Sequence, residues 1–142
     1  MQGMLKEKLW SYIVQNNPEL MVSLQEDFYV TKYLEEKVNG VMPFAENLLS
    51  QNRPLYTIEE ICLDNMTEEL KPSRYLYISS VIEEEFNMDY ERWRESGVLT
   101  YEVINLIEAC KDIFNDFGFS LENEEDRHLK YAIIGQINEY LK

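Results

Sequence analysis

The chain has 142 residues, 45% of them hydrophobic and 13% aromatic, and its 27 acidic against 13 basic side chains give a formal net charge of -14 at pH 7. That much apolar material predicts a folded chain rather than a disordered one, of a length that suits a single domain. The acidic balance argues against a grip on nucleic-acid phosphates or anionic lipid, and no apolar run approaches the roughly 18 residues of a membrane-spanning helix.

The first ten residues, MQGMLKEKLW, contain no uninterrupted apolar stretch, so no secretory leader is expected. Leu5, Leu9, Tyr12 and Ile13 predict a first helix, stopped by Asn16-Asn17-Pro18. Asn17 and Pro18 are also a start signal, a cap followed by proline at the first helical position, for a short helix through Leu20, Met21 and Leu24. A third helix is predicted from about Asp27 to Gln51, with Val30, Leu34, Val38, Ala45, Leu48 and Leu49 on its apolar side. Gly40 and Pro43 interrupt it, and the proline predicts a kink or a break. Thr57-Ile58-Glu59-Glu60 fits the capping-box pattern for a helix through Ile61, Cys62 and Met66.

Lys71-Pro72-Ser73 then breaks the chain before a helix carrying Tyr75, Ile78, Val81, Ile82 and Phe86. A short segment around Tyr90 and Trp93 ends at Ser96-Gly97. The cleanest helical signal follows, from Thr100 to Gly118. Val103, Ile107, Cys110, Phe114 and Phe117 form its apolar stripe, flanked by Leu106 and Ile113, opposite Asn105, Glu108, Asp112, Asn115 and Asp116. Thr100 suits the N-cap, Glu102 the first turn, and Gly118 the left-handed position past the end. After Phe119 and Leu121, Asn123 is expected to cap a last helix with Leu129, Ala132, Ile133, Ile137 and Tyr140 on one face.

No segment alternates with a period of two, and no hairpin turn signal lies between β-branched runs. The expected fold is therefore all-α: a compact bundle of about five to seven helices, packed orthogonally or irregularly, without a sheet. Residues 1–142 read as one domain, with 1–86 and 87–142 as sub-units sharing one core. Charge is spread evenly, with 6 basic and 12 acidic side chains in residues 1–71 and 7 and 15 in residues 72–142.

Leu9 with Tyr12-Ile13, Pro18-Glu19-Leu20, Glu59-Glu60, and Ser73-Arg74-Tyr75 leading through Ile78 and Val81-Ile82 to Glu85-Phe86 form a pattern across residues 9–86. It resembles a family of small helical bacterial proteins known only as a domain of unknown function. That family has Leu-His-Phe ahead of the serine, whereas this chain has Leu70-Lys71-Pro72, and residues 87–142 lie outside the likeness. The resemblance implies a helical fold and the gene content of mobile elements. It implies no activity.

Chemistry-bearing patterns are sparse. Glu125-Asp126-Arg127-His128 contains the Glu-x-x-His spacing of di-iron carboxylate bundles, making Glu125 and His128 the candidate metal ligands. Those bundles need two such motifs, and His128 is the only histidine. Cys110 with His128 has the composition of a nucleophile and base, but Cys110 lies in the centre of the apolar stripe, where thiols are inert. Cys62 lies in a similar pattern, so two buried free thiols in a reducing cytoplasm are expected rather than a disulfide. The scattered glycines form no phosphate loop, and the acidic runs lack the register of a calcium loop. No catalytic residue, cofactor site or metal site is assigned.

Glu108, Asp112 and Asp116 recur every four residues, as a solvated face does, or a surface that meets a basic protein partner. Trp10, Trp93 and ten tyrosines suit an interface as well as a core, with Leu76, Tyr131 and Ile134 off their helices' main stripes. The leading expectation is a cytoplasmic, non-catalytic protein–protein interaction or regulatory module. The alternatives are a carboxylate metal or hydrolytic enzyme centred on Glu125 and His128, and a DNA-mimicking inhibitor of a DNA-binding protein.

Overall fold

The computed structural model describes residues 1–142, which form helices joined by short turns, without a strand. The helices are α1 Gln2–Asn16, α2 Pro18–Glu26, α3 Val30–Ser50, α4 Leu55–Thr67, α5 Arg74–Glu85, α6 Asn87–Glu95, α7 Leu99–Ala109, α8 Lys111–Phe117 and α9 Arg127–Leu141. A single 3₁₀ turn covers Glu68–Leu70. The all-α expectation holds. There are nine α-helices rather than five to seven, because short elements remain separate and the Thr100–Gly118 helix is two.

The chain divides into two compact units, Met1–Lys71 and Pro72–Lys142. This differs from the expected boundary after residue 86, and two hydrophobic clusters take the place of one shared core. The reason lies in α5. Its Ile78, Val81 and Ile82 gather with side chains of α6, α7, α8 and α9, so the helix belongs to the second unit.

In the first unit, Leu5, Leu9 and Ile13 repeat every four residues, lie on one face of α1 and are fully buried. They meet Val38, Val41, Ala45 and Leu48 of α3 and Ile58, Cys62 and Met66 of α4. Trp10 packs against the same cluster. Pro18 sits in the first turn of α2, where its missing N–H loses nothing. α3 starts at Val30 rather than Asp27, since Phe28 takes a left-handed φ of 53° that no helix continues. It then runs through Pro43 without a break in its assignment. An interior proline costs a helix about 3 kcal/mol. Fully burying a Val or Leu side chain returns roughly 1.5–3 kcal/mol, and α3 buries Val38, Val41 and Leu48. α4 begins directly behind Pro54, which places Thr57 inside the helix, where it caps nothing. The Asn17 side-chain amide donates to the Leu70 carbonyl at 3.4 Å, and Lys8 Nζ lies 3.5 Å from Glu59 Oε2.

In the second unit, the Ser73 hydroxyl oxygen accepts from the Leu76 N–H at 3.0 Å and opens α5. Between α7 and α8 the backbone of Cys110 opens to φ -96°, ψ 5°. The Cys110 N–H still donates to Leu106 and its carbonyl accepts from Phe114, so the apolar stripe survives the break. Val103, Leu106, Ile107, Cys110 and Phe114 are buried, but Phe117 at the far end is 39% exposed. α7 begins after Val98, so Thr100 is not its cap. Gly118 does end α8 in the left-handed conformation, φ 62° and ψ 52°, which the absence of a Cβ permits.

Asp126, not Asn123, caps α9: its Oδ1 accepts from the N–H groups of His128 at 2.8 Å and Leu129 at 3.0 Å. Asn123 instead closes the preceding loop, accepting from the Ser120 N–H at 2.8 Å and donating to the Phe117 carbonyl at 2.8 Å. Phe114, Tyr77 and Phe119 form a three-ring cluster, the Phe114 centroid 5.8 Å from Tyr77 and 4.8 Å from Phe119, which lie 5.1 Å apart, and Trp93 is buried in the same core. The Tyr140 hydroxyl donates to Glu102 Oε2 at 2.6 Å, tying α9 to the first turn of α7.

Candidate functional surface

Glu108 lies on α7 and Asp112 and Asp116 on α8, all three exposed. The opening at Cys110 divides the expected row between two helices. Asn115, between the two aspartates in sequence, accepts from Arg74 at 3.2 Å, and the guanidinium stands 4.8 Å over the Phe114 ring. A cation therefore already sits beside this part of the acidic row.

The Glu-x-x-His spacing does not fall on one helix. Glu125 lies in the turn before the cap and His128 is the second residue of α9, both exposed to water. No group of three or more His, Cys, Asp or Glu side chains gathers as metal ligands. Cys110 is fully buried, and burial pushes its thiol up to about 11, so at neutral pH it holds its proton and is a poor nucleophile. Burial raises the Cys62 thiol as well. Both cysteines are free.

A cavity of about 420 Å³ opens in the first unit between α3 and the end of α4. α3 contributes Glu36, Lys37, Gly40 and Val41; α4 and the 3₁₀ turn contribute Asn65, Met66, Glu68 and Glu69. Val41 and Met66 are buried and form an apolar floor, while the three glutamates are exposed and form a rim. The Tyr29 hydroxyl donates to both Glu36 carboxylate oxygens, at 3.0 and 3.1 Å, a contact that raises the phenol's own pKa. The Lys37 ammonium pairs with Glu69, which raises the lysine pKa in turn. Three carboxylates thus share one cation, and the rim remains negative. Sequence reasoning missed this groove. The available signal was Gly40 in a helix interior, one turn after Glu36.

Large apolar side chains also stand in water, led by Phe28 at 96% and Met88 at 86% exposure. Of the residues expected to form a second packing surface, Leu76 and Tyr131 are exposed, whereas Ile134 packs onto the second unit's core. No helix is long and apolar enough to cross a membrane. No protein-family model matches the chain, and neither a curated protein nor a solved structure matches it.

Proposed function

We propose that this chain is a non-catalytic interaction module whose acidic surface binds a basic protein. The observation that carries the reading is the coexistence of a net charge of -14 with large apolar side chains left almost wholly in water, Phe28 at 96% and Met88 at 86%. Covering a Phe or Met side chain is worth roughly 1.5–3 kcal/mol, so such groups are ready anchors for a partner. The surrounding carboxylates favour a basic partner and repel phosphate-bearing ones. The solvent exposure of Glu125 and His128, and the burial that keeps the Cys110 thiol protonated, support a binding role over a catalytic one. A reducing compartment such as the cytoplasm fits the two free thiols. The likeness of residues 9–86 to small bacterial helical proteins makes a mobile element a fitting genetic setting.

Affinity capture from native lysate, beside sedimentation of the purified chain, tests this. The expected result is retention of basic proteins that salt releases and that a Phe28→Ser, Met88→Ser double variant retains poorly. Capture of nothing basic, together with strictly monomeric sedimentation, overturns it.

A further inference from the structure

The groove of the first unit contains a residue that the fold does not require. Gly40 lies inside α3 without a left-handed φ, and a Cβ added there would meet nothing within 4 Å. Neither a turn nor a close neighbour demands glycine, although it costs a helix interior about 1 kcal/mol relative to alanine. The missing side chain leaves open a groove with Val41 and Met66 at its floor. At about 420 Å³ the groove sits at the small end of ligand clefts, roughly 300–1,000 Å³.

We propose that this groove receives a lysine or arginine side chain from a basic protein segment, its aliphatic stem on Val41 and Met66 and its charged head between Glu36 and Glu68. The proposal rests on the interaction reading above and names its docking point. Long basic side chains are amphipathic in the way the groove is, apolar along the stem and cationic at the tip. Lys37 already compensates Glu69, so Glu36 and Glu68 supply the unmatched charge, Glu36 accepting only from the neutral Tyr29 hydroxyl. Asn65 at the edge offers a carboxamide that both donates to and accepts from a peptide bond. A free polyamine has no carbonyl to use that donor, which favours a protein segment as occupant.

Gly135 provides the control, since it lies inside α9 of the second unit, is not among the residues that line the groove, and a Cβ there also meets nothing within 4 Å. Gly40→Leu and Gly135→Leu add the same volume and the same helix preference, so both variants fold, as far-UV circular dichroism checks. The probe is a fluorescein-labelled decapeptide of alternating arginine and serine, followed by anisotropy at low salt. Gly40→Leu is expected to weaken binding roughly tenfold or more, as is the Glu36→Gln, Glu68→Gln double variant, while Gly135→Leu binds like the unaltered chain. Equal binding by both leucine variants overturns the groove assignment and leaves the interaction reading standing, because diffuse charge then suffices. No binding even by the unaltered chain sinks both. Spermine that outcompetes the peptide tenfold, with the same dependence on Gly40, overturns the protein segment in favour of a free polyamine.

Discussion

The first unit fills its core with aliphatic side chains on α1, α3 and α4, whereas the second inserts Trp93 and Phe114 among shorter helices. α3 reaches 21 residues in the first unit, while α8 in the second has only 7. Their helix ends differ as well. None of α1 to α4 begins with a side-chain cap bond; in the second unit α5 and α9 begin on Ser73 and Asp126, whereas α6, α7 and α8 have no such bond. A long helix with a packed face tolerates poor ends, even an interior glycine and proline. Short helices have few packed turns to offset the cost of nucleation, so the second unit leans on large aromatic contacts and on the caps at α5 and α9, where α6, α7 and α8 have none.

The sharpest test of that contrast is the aromatic anchor. Phe114→Ala is expected to cost about 3–5 kcal/mol in urea denaturation, since it removes the fully buried ring that packs on both Tyr77 and Phe119. Ile58→Val, which removes one methylene from the aliphatic core of the first unit, should cost only about 1 kcal/mol. A Phe114→Ala cost no larger than that would erase the distinction.

A smaller effect compares the two thiols, one in each core. Because burial raises Cys110 from 9.0 to about 11, its contribution is fully present below pH 9 and is lost as pH rises through about 11. The Cys62 shift has the same sign and the same cause. Native protein at pH 8 should therefore leave both cysteines unmodified by iodoacetamide, with modification following unfolding in urea. Alkylation of the native chain at the unfolded rate would mean that the thiols are not sealed.

The smallest effect concerns the caps. Asp126→Ala should cost about 1 kcal/mol by removing the acceptor of two N–H groups, whereas Thr57→Ala should stay within about 0.5 kcal/mol because Thr57 caps nothing. Thermal melts of both variants measure the pair. Equal losses would restore the capping box at Thr57.

What could be read from the chain alone was set by period. Leu5, Leu9 and Ile13, or Leu129, Ile133 and Ile137, recur once per turn and are buried as that spacing requires. Gly118 was equally legible, since glycine after a periodic run has a conformational reason. The division of α7 from α8 was not, because Cys110 is neither glycine nor proline and keeps its place in the stripe. Asn123 and Asp126 are both good caps by type, and only the loop bonds of Asn123 decide between them. The break at Lys71-Pro72-Ser73 was legible, but not that it separates two units, since hydrophobicity on α5 does not say which neighbours it meets. The groove depends on bringing together Glu36 and Glu68, on different elements, and no local pattern announces that.

The two tryptophans are shared out, Trp10 against the first core and Trp93 within the second. Replacing either one with phenylalanine leaves a single indole, whose emission reddens when water reaches it. Each half of the molecule therefore carries its own built-in lamp, and the melting of one half can be watched by fluorescence without attaching a dye.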